Sequence, residues 1–496
     1  TGSSNTGIGQ NALGSNTTAS NNTAVGTSAL TANTTGGFNT AVGAYALDAN
    51  TTGDRNNSFG YFSLTNNTTG NNNSAFGHAA LTENTTGSNN VAIGFEALEK
   101  NTTGDYNVAV GRSALDANTT ANNNTAVGYE SLKTTTTASN NTAVGKYSLR
   151  LNTTGASNTA LGTGSLENNT TAENNTAVGF ESLKANTTGV SNTAVGSSAL
   201  RSNTTGFTAN TAMGAGALFS NTTGSENTAV GYTALRDGNR SSNTALGSQA
   251  LRRGTTGNNN VAVGSNSLEN NTANSNTAVG YQSLNANTTG TDNVAVGASA
   301  LDANTTGFSN VAVGKSALGS NTTAHSNVAI GLTSLFTNTT GSRNTAVGRD
   351  CLKANTTGES NVAVGANALD SNTTGSNNTA IGRNALTAAT TSSVNTVVGS
   401  AAGDAITEGD GNNIVGYGAG TTLTTGSNNV AVGKLALRYN QTGNSNVAIG
   451  NDAVNRMTGS NNIGIGVEAM FGNSTNPTGE NNIAIGKEAL HDVSTG

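Results

Sequence analysis

The sequence predicts an all-β protein, a parallel β-solenoid (a β-roll or β-helix) of 29 coils, and three observations predict it. A 17-residue unit repeats along the chain, with its first Gly at Gly9, Gly26, Gly43, Gly60, Gly77 and Gly94 and onward to Gly450, Gly466 and Gly486. Seventeen residues are too few for a helix pair or a propeller blade, but they suit one turn of short strands broken by Gly corners. The composition agrees. Of 496 residues 10% are charged and 33% hydrophobic, with 65 Gly, one Pro and no Trp, far from the roughly 25% charge of an average globular protein. In a stack each strand pairs with the coil above and below, so only corner residues meet water freely. At ~4.8 Å per coil the stack would extend about 140 Å. Residues 1–496 then form a single continuous solenoid, with irregular coils at 395–426 and 451–486.

Each coil opens on an Asn that recurs in all 29 copies, Asn90, Asn107, Asn124 and Asn141 being four in succession. An amide carries both donors and an acceptor, so a column of them can form a ladder, each side chain bonding the next coil or satisfying a corner backbone group. The strand follows as Thr/Val-Ala-Val, which sends Ala to one face and its two neighbours to the other. The Gly after it takes a positive φ at a corner. Ala or Ser and then Leu come next, with Leu98, Leu115, Leu132 and Leu149 as core candidates. Asn-Thr-Thr-Gly closes the coil. Spacing departs from 17 before Asn210, Asn243, Asn276 and Asn462 and around Pro477, always between the Leu and the next Asn. The nine-residue block from Asn through Leu is therefore the packed part, and the Asn-Thr-Thr-Gly corner the adjustable loop.

Two aberrant copies indicate which face is inside. Around Gly399 the usual Leu is Gly403, the strand Ala is Val397 and the second Asn is Ile406; the next copy has Gly420, Ile414 and Leu423. Where one position loses volume the other two gain it, as residues sharing one closed core do. Ala, Leu and the second Asn thus face a narrow interior. The residue before each Gly then faces outward, and it is apolar in all 29 copies, including Val110, Val127, Val144, Val178 and Val195. Such a stripe exceeds what a soluble monomer exposes. The simplest partner is another copy of the same chain around a shared axis.

Blocks such as Asn90-Val91-Ala92-Ile93-Gly94 and Asn327-Val328-Ala329-Ile330-Gly331 resemble the head repeats of trimeric autotransporter adhesins. The 17-residue form with Asn-Thr-Thr-Gly is similar to repeat regions of bacterial and phage tail-fibre-like proteins. The resemblance implies left-handed parallel β-rolls joined three-fold, an extracellular or cell- or virion-surface location, and an adhesive or spacer role. The adhesin repeat is shorter than this one.

Residues able to do chemistry are few. His78, His325 and His491 fall at different phases of the repeat, and Cys351 replaces a small Ala/Ser. Asp404, Glu408 and Asp410 sit in the irregular stretch Gly403 to Gly411, where Gly-Asp-Gly is an ordinary turn and EF-hand spacing is absent. No catalytic, cofactor or metal site is expected. Net charge is −6 without a basic block, so nucleic acid is not expected, and no apolar run reaches the ~18 residues of a membrane span. Asn16, Asn33, Asn50 and Asn67 head formal glycosylation sequons, but Leu423 and Ile406 at the same phase argue that this Asn points inward. Gly2 and Gly496 share a phase, and the first and last coils carry no capping helix or charged cover, so open strand edges predict either further sequence beyond both ends or end-to-end stacking into a filament. The expected function is a non-catalytic fibre segment or adhesin shaft, self-associating and trimeric, with a surface receptor or glycan as further partner. The competing reading is a binding module for ice or glycan on the Thr-rich face. Adjacent Thr residues point opposite ways, so that face would carry a single file of hydroxyls.

Overall fold

The computed structural model describes residues 2–205, 208–472 and 478–492; the insertion around Pro477 and the terminal Gly496 lie outside them. The chain divides into two compact units, Thr1–Ala245 and Leu246–Gly496. Its 29 strands are three residues long, and no α-helix occurs among the described residues. In the first unit β1 (Thr6–Ile8) through β14 (Thr228–Val230) each pair parallel with the next, equivalent residues side by side, as Thr23 with Thr40 and Val25 with Val42. In the second, β16 (Val261–Val263) through β29 (Ile483–Ile485) do the same. The remaining strand, β15 (Thr244–Leu246), carries the division. Each unit is a parallel β-solenoid.

The strands are short because two conformational demands end them. The Gly after each strand holds φ between +125° and +145°, which L side chains rarely adopt. It also lies against the next coil: a Cβ on Gly111 would stand 2.5 Å from the carbonyl oxygen of Gly128. Beyond it the backbone turns through left-handed residues that are not glycine. In the coil of Gly43 these are Tyr45 (φ 58°), Leu47 (φ 56°) and Arg55 (φ 57°). Left-handed geometry costs an L residue roughly 1–2 kcal/mol, so the stack must supply more. It does so through backbone bonds to both neighbouring coils: Gly43 and Tyr45 donate to Val25 O and Thr27 O of the coil before (both 2.8 Å), Thr40 and Ala49 to Asn56 O and Thr65 O of the coil after (2.8 and 2.9 Å).

The interior is narrow and partly polar. In the coil beginning at Asn39 the buried side chains are Asn39, Ala41, Ala46, Leu47 and Asn50. Apolar burial alone is small here, and both amides are taken out of water, so each must find partners. The aberrant coils confirm a shared core. A Cβ on Gly403 would stand 3.0 Å from Ile406 Cδ1, 3.5 Å from Ile414 Cδ1 and 3.6 Å from Val397 Cγ1. A separate exchange occurs at Gly464, the centre of a strand, where Val454 Cγ2 lies 2.5 Å from the place a Cβ would take. The Asn-Thr-Thr-Gly corner, where the length changes fall, is also hydrogen-bonded coil to coil. Thr34 Oγ1 donates to Thr51 O and Thr51 Oγ1 to Thr68 O, each at 3.0 Å.

Two outcomes test this account. Gly111→Ala combines a forbidden φ with a clash against Gly128 and should destabilise by about 2 kcal/mol or more; unchanged resistance to proteolysis around residue 111 would refute the tight approach. Thr135 interrupts the column of second Asn residues. Its Oγ1 donates to Asn152 O and accepts from Asn152 Nδ2, both at 3.2 Å, while Asn118 Oδ1 is left without a partner. Thr135→Asn should rejoin the column and stabilise by about 1 kcal/mol, read as a higher unfolding midpoint and slower amide exchange between residues 118 and 152.

Candidate functional site

Two columns of amides hold the coils in line. In the first, Asn107, Asn124 and Asn141 donate their backbone N–H groups to Oδ1 of Asn90, Asn107 and Asn124 at 2.9, 3.0 and 2.9 Å. The Nδ2 of Asn90 reaches Gly104 O at 2.8 Å, that of Asn107 reaches Ala121 O at 2.8 Å and that of Asn124 reaches Ala138 O at 2.9 Å. Asn141 turns its Nδ2 to Ala138 O and Ser139 O, both at 3.4 Å. In the second column Asn101 donates to Asn84 Oδ1 at 2.8 Å and to Gly104 O at 3.0 Å. The two columns therefore converge on one corner carbonyl in the coils of Asn90 and Asn107, Gly104 O and Ala121 O. Leu98, Leu115, Leu132 and Leu149 are fully buried beside them. The sequon Asn33, Asn50 and Asn67 side chains are fully buried as well.

A third column was not legible beforehand. Gly37 N donates to Asp54 Oδ1, Asp54 N to Asn71 Oδ1, and Ser88 N to Asp105 Oδ1, each at 2.7 Å; Asn71 N donates to Ser88 Oγ at 3.0 Å. Its signal was the recurrence of Asp, Asn and Ser, all short acceptors, two residues before the next coil's Asn.

The outward side of the strands is different in kind. Val110, Val127 and Val144 stand side by side, as do Val178 and Val195, with Leu161 between the two groups. The Ala centres of these strands are buried, while the five Val are half-buried within their own chain. Neither outward file carries an Asp, Glu, Lys or Arg in any of the 29 strands. Rings and basic groups recur on the neighbouring corner, one residue after the Gly. There Tyr61, His78, Phe95, Arg112, Tyr129 and Lys146 form a column over six successive coils. His78 stacks on Phe95 with centroids 5.1 Å apart, Arg112 lies 5.5 Å from Phe95 and 5.9 Å from Tyr129, and Lys146 lies 5.9 Å from Tyr129.

The scarce reactive groups contact neighbouring coils. His325 and His491 stack on Phe308 and Phe471 of adjacent coils at 4.6 and 5.3 Å. Asp410 Oδ1 accepts from Ser393 N at 2.6 Å, and burial raises the carboxyl of Asp404 above its ordinary range. Among the described residues no three His, Cys, Asp or Glu side chains gather as metal ligands do. A shallow hollow of about 230 Å³ is lined by Lys184 and Arg201, but Glu181 holds both, at 2.7 and 2.9 Å. No helix among the described residues is long and apolar enough to cross a membrane. No protein-family model and no curated protein matches the chain.

Cys351 is buried, its Sγ 3.1 Å from Ala363 O, and burial pushes the thiol up to about 12. A thiol reagent at pH 8 should leave the folded protein untouched and modify one group per chain after denaturation. Rapid reaction of the native protein would place this side chain at the surface instead.

Proposed function

We propose that this protein is a non-catalytic segment of an extracellular, cell-surface or virion-surface fibre, a shaft that works as a homo-oligomer, with a trimer favoured. The observation that carries the reading is the uncharged outward side of the strands, where a Val, Ile, Leu, Met or Phe precedes every corner Gly. An apolar strip of that extent calls for a covering partner, and a second copy brings a strip of the same period. Coil-by-coil hydrogen bonding within each unit supports a spacer role, since each coil is held by both neighbours and bends only if several ladders yield together. Attachment to a receptor or glycan belongs to the corner residues, which vary in charge and ring content from coil to coil.

The Thr-rich corner supports ice or glycan binding less well. The first Thr of each pair spends its hydroxyl on the next coil, as Thr34 and Thr51 do, and one Thr per coil, such as Thr35 and Thr52, stays exposed. One file of hydroxyls is a line rather than a plane.

Light scattering on the native protein tests the oligomer. The parent should show the mass of several chains. The variant with Val127, Val144, Val178 and Val195 all changed to Asp should lose mass while keeping its β circular dichroism, because these side chains stand outside the Ala, Leu and Asn interior. A monomeric parent defeats the proposal, and loss of β structure in the variant would mean that this face belongs to the chain's own core.

A further inference from the structure

The outward face lacks any ordinary means of choosing a register. Charges often fix how two surfaces align, and this face has none. Its Thr/Val and Val files repeat at every strand, so displacing one copy by a whole coil brings like against like again. Along the fourteen strands of the first unit the strip measures about 60 Å by about 10 Å, roughly 600 Å² that each copy can offer a second one, against the roughly 800 Å² per partner of a standard interface. Area and chemistry therefore suit a second copy of this chain, but they leave alignment degenerate.

One feature breaks the degeneracy. Of the residues before the corner Gly, all are Val, Ile, Leu or Met except Phe59 and Phe76, which lie on adjacent strands Asn57–Phe59 and Ser74–Phe76. Their rings are nearly parallel, 6° apart with centroids at 4.8 Å, and Phe76 is 38% exposed. The strand mates of these rings on the same face are polar, Asn57 and Ser74. A doubled ridge thus rises from a plane of small side chains, in the fourth and fifth of the unit's strands and so well off its centre.

We infer that the Phe59–Phe76 ridge sets the axial register in which copies of this chain meet, parallel and with equal coils at equal height; the inference rests on the self-association proposed above. In that alignment the ridges of all copies lie at one level and pack ring against ring, the geometry aromatic pairs favour. A slip of one coil leaves a single Phe–Phe contact and sets the other ring of each ridge against Val42 or Ile93, and a reversed copy in full overlap sets the ridge against Leu161 and Val178; either props the faces apart there and leaves unfilled space beside the rings. Thr125 and Thr142, on adjacent strands three coils and more away, report the alignment without touching the ridge.

The test uses the full chain with Cys351→Ser, a residue that other coils carry at this phase, as Ser63 and Ser131 do. One preparation adds Thr125→Cys and a second adds Thr142→Cys. The two are unfolded, mixed, refolded together and oxidised, and the disulfides between chains are counted by mass spectrometry. Same-position links should exceed 125–142 links by at least about tenfold. Adding Phe59→Val and Phe76→Val, the residue most coils carry there, should raise the share of 125–142 links at least threefold at unchanged particle mass and β circular dichroism. A double variant that keeps the same-position excess overturns the inference. So does one that no longer assembles, because the rings would then drive association rather than choose its register. A monomeric parent without links between chains overturns the self-association reading itself, and particle mass separates that result from the others.

Discussion

Most coils depend on one shared acceptor, the carbonyl of the corner residue. In the coil of Gly53 that oxygen receives Asn39 Nδ2 at 2.9 Å and Asn50 Nδ2 at 3.0 Å, so the start and the end of the coil are tied to one point. The two amides continue into the neighbours: Asn56 N donates to Asn39 Oδ1 and Asn50 Nδ2 to Asn33 Oδ1, both at 2.8 Å. An unpartnered buried amide costs about 1–3 kcal/mol, which makes the arrangement nearly all-or-none at each level. The column can be crossed where an apolar side chain replaces the amide, as Ile406 and Leu423 do, because removing both donor and acceptor removes the demand. Where only one partner is lost the cost remains: Asn372 Oδ1, with Ala389 at the matching position of the next coil, has no donor.

The same closure accounts for the backbone. A turn of 17 residues around two Ala, one Leu and two Asn is too tight for right-handed and extended residues alone, and three non-glycine positions per coil adopt φ near +55°. No coil could hold that geometry by itself. The bonds that compensate lie between coils, so stability in each unit is a property of stacking, as in other repeat proteins. Leu meets the requirement because its branch lies one carbon further out than that of Val or Ile, which leaves the left-handed backbone less crowded. Tyr45 and Arg55 meet it at the surface, where the side chain has room.

Apart from Arg240, a buried corner residue whose carbonyl accepts from Asn227 Nδ2 at 2.5 Å, charge lies at positions that close neither the amide columns nor the strand face. Lys184, bonded to Glu181 at 2.7 Å, holds that carboxyl below the usual carboxylate range, and the glutamate in turn raises the Lys184 ammonium. Pairs of this kind near water add little stability. Their position matters more than their strength: they leave the outward strand face regular, apolar and uncharged.

The period of 17, the parallel stacking, the Gly corner and the existence of an Asn ladder were legible in the sequence, because each is a repeated demand of one residue type at one phase. The exchange among Gly403, Val397 and Ile406 also located the interior, since volume is conserved in a closed core and can be followed in composition alone. What the sequence did not contain was direction. Nothing in Asn-Thr-Thr-Gly says that its Asn and the Asn that opens the coil meet at a single carbonyl, that the first Thr turns its hydroxyl to the next coil, or that Asp54, Asn71 and Ser88 form a further column. Those are choices among hydrogen-bond partners from different levels of the stack, open to an amide or hydroxyl with several equivalent options. Only the tertiary path, which sets each level beside the next and leaves room for one geometry, decided among them.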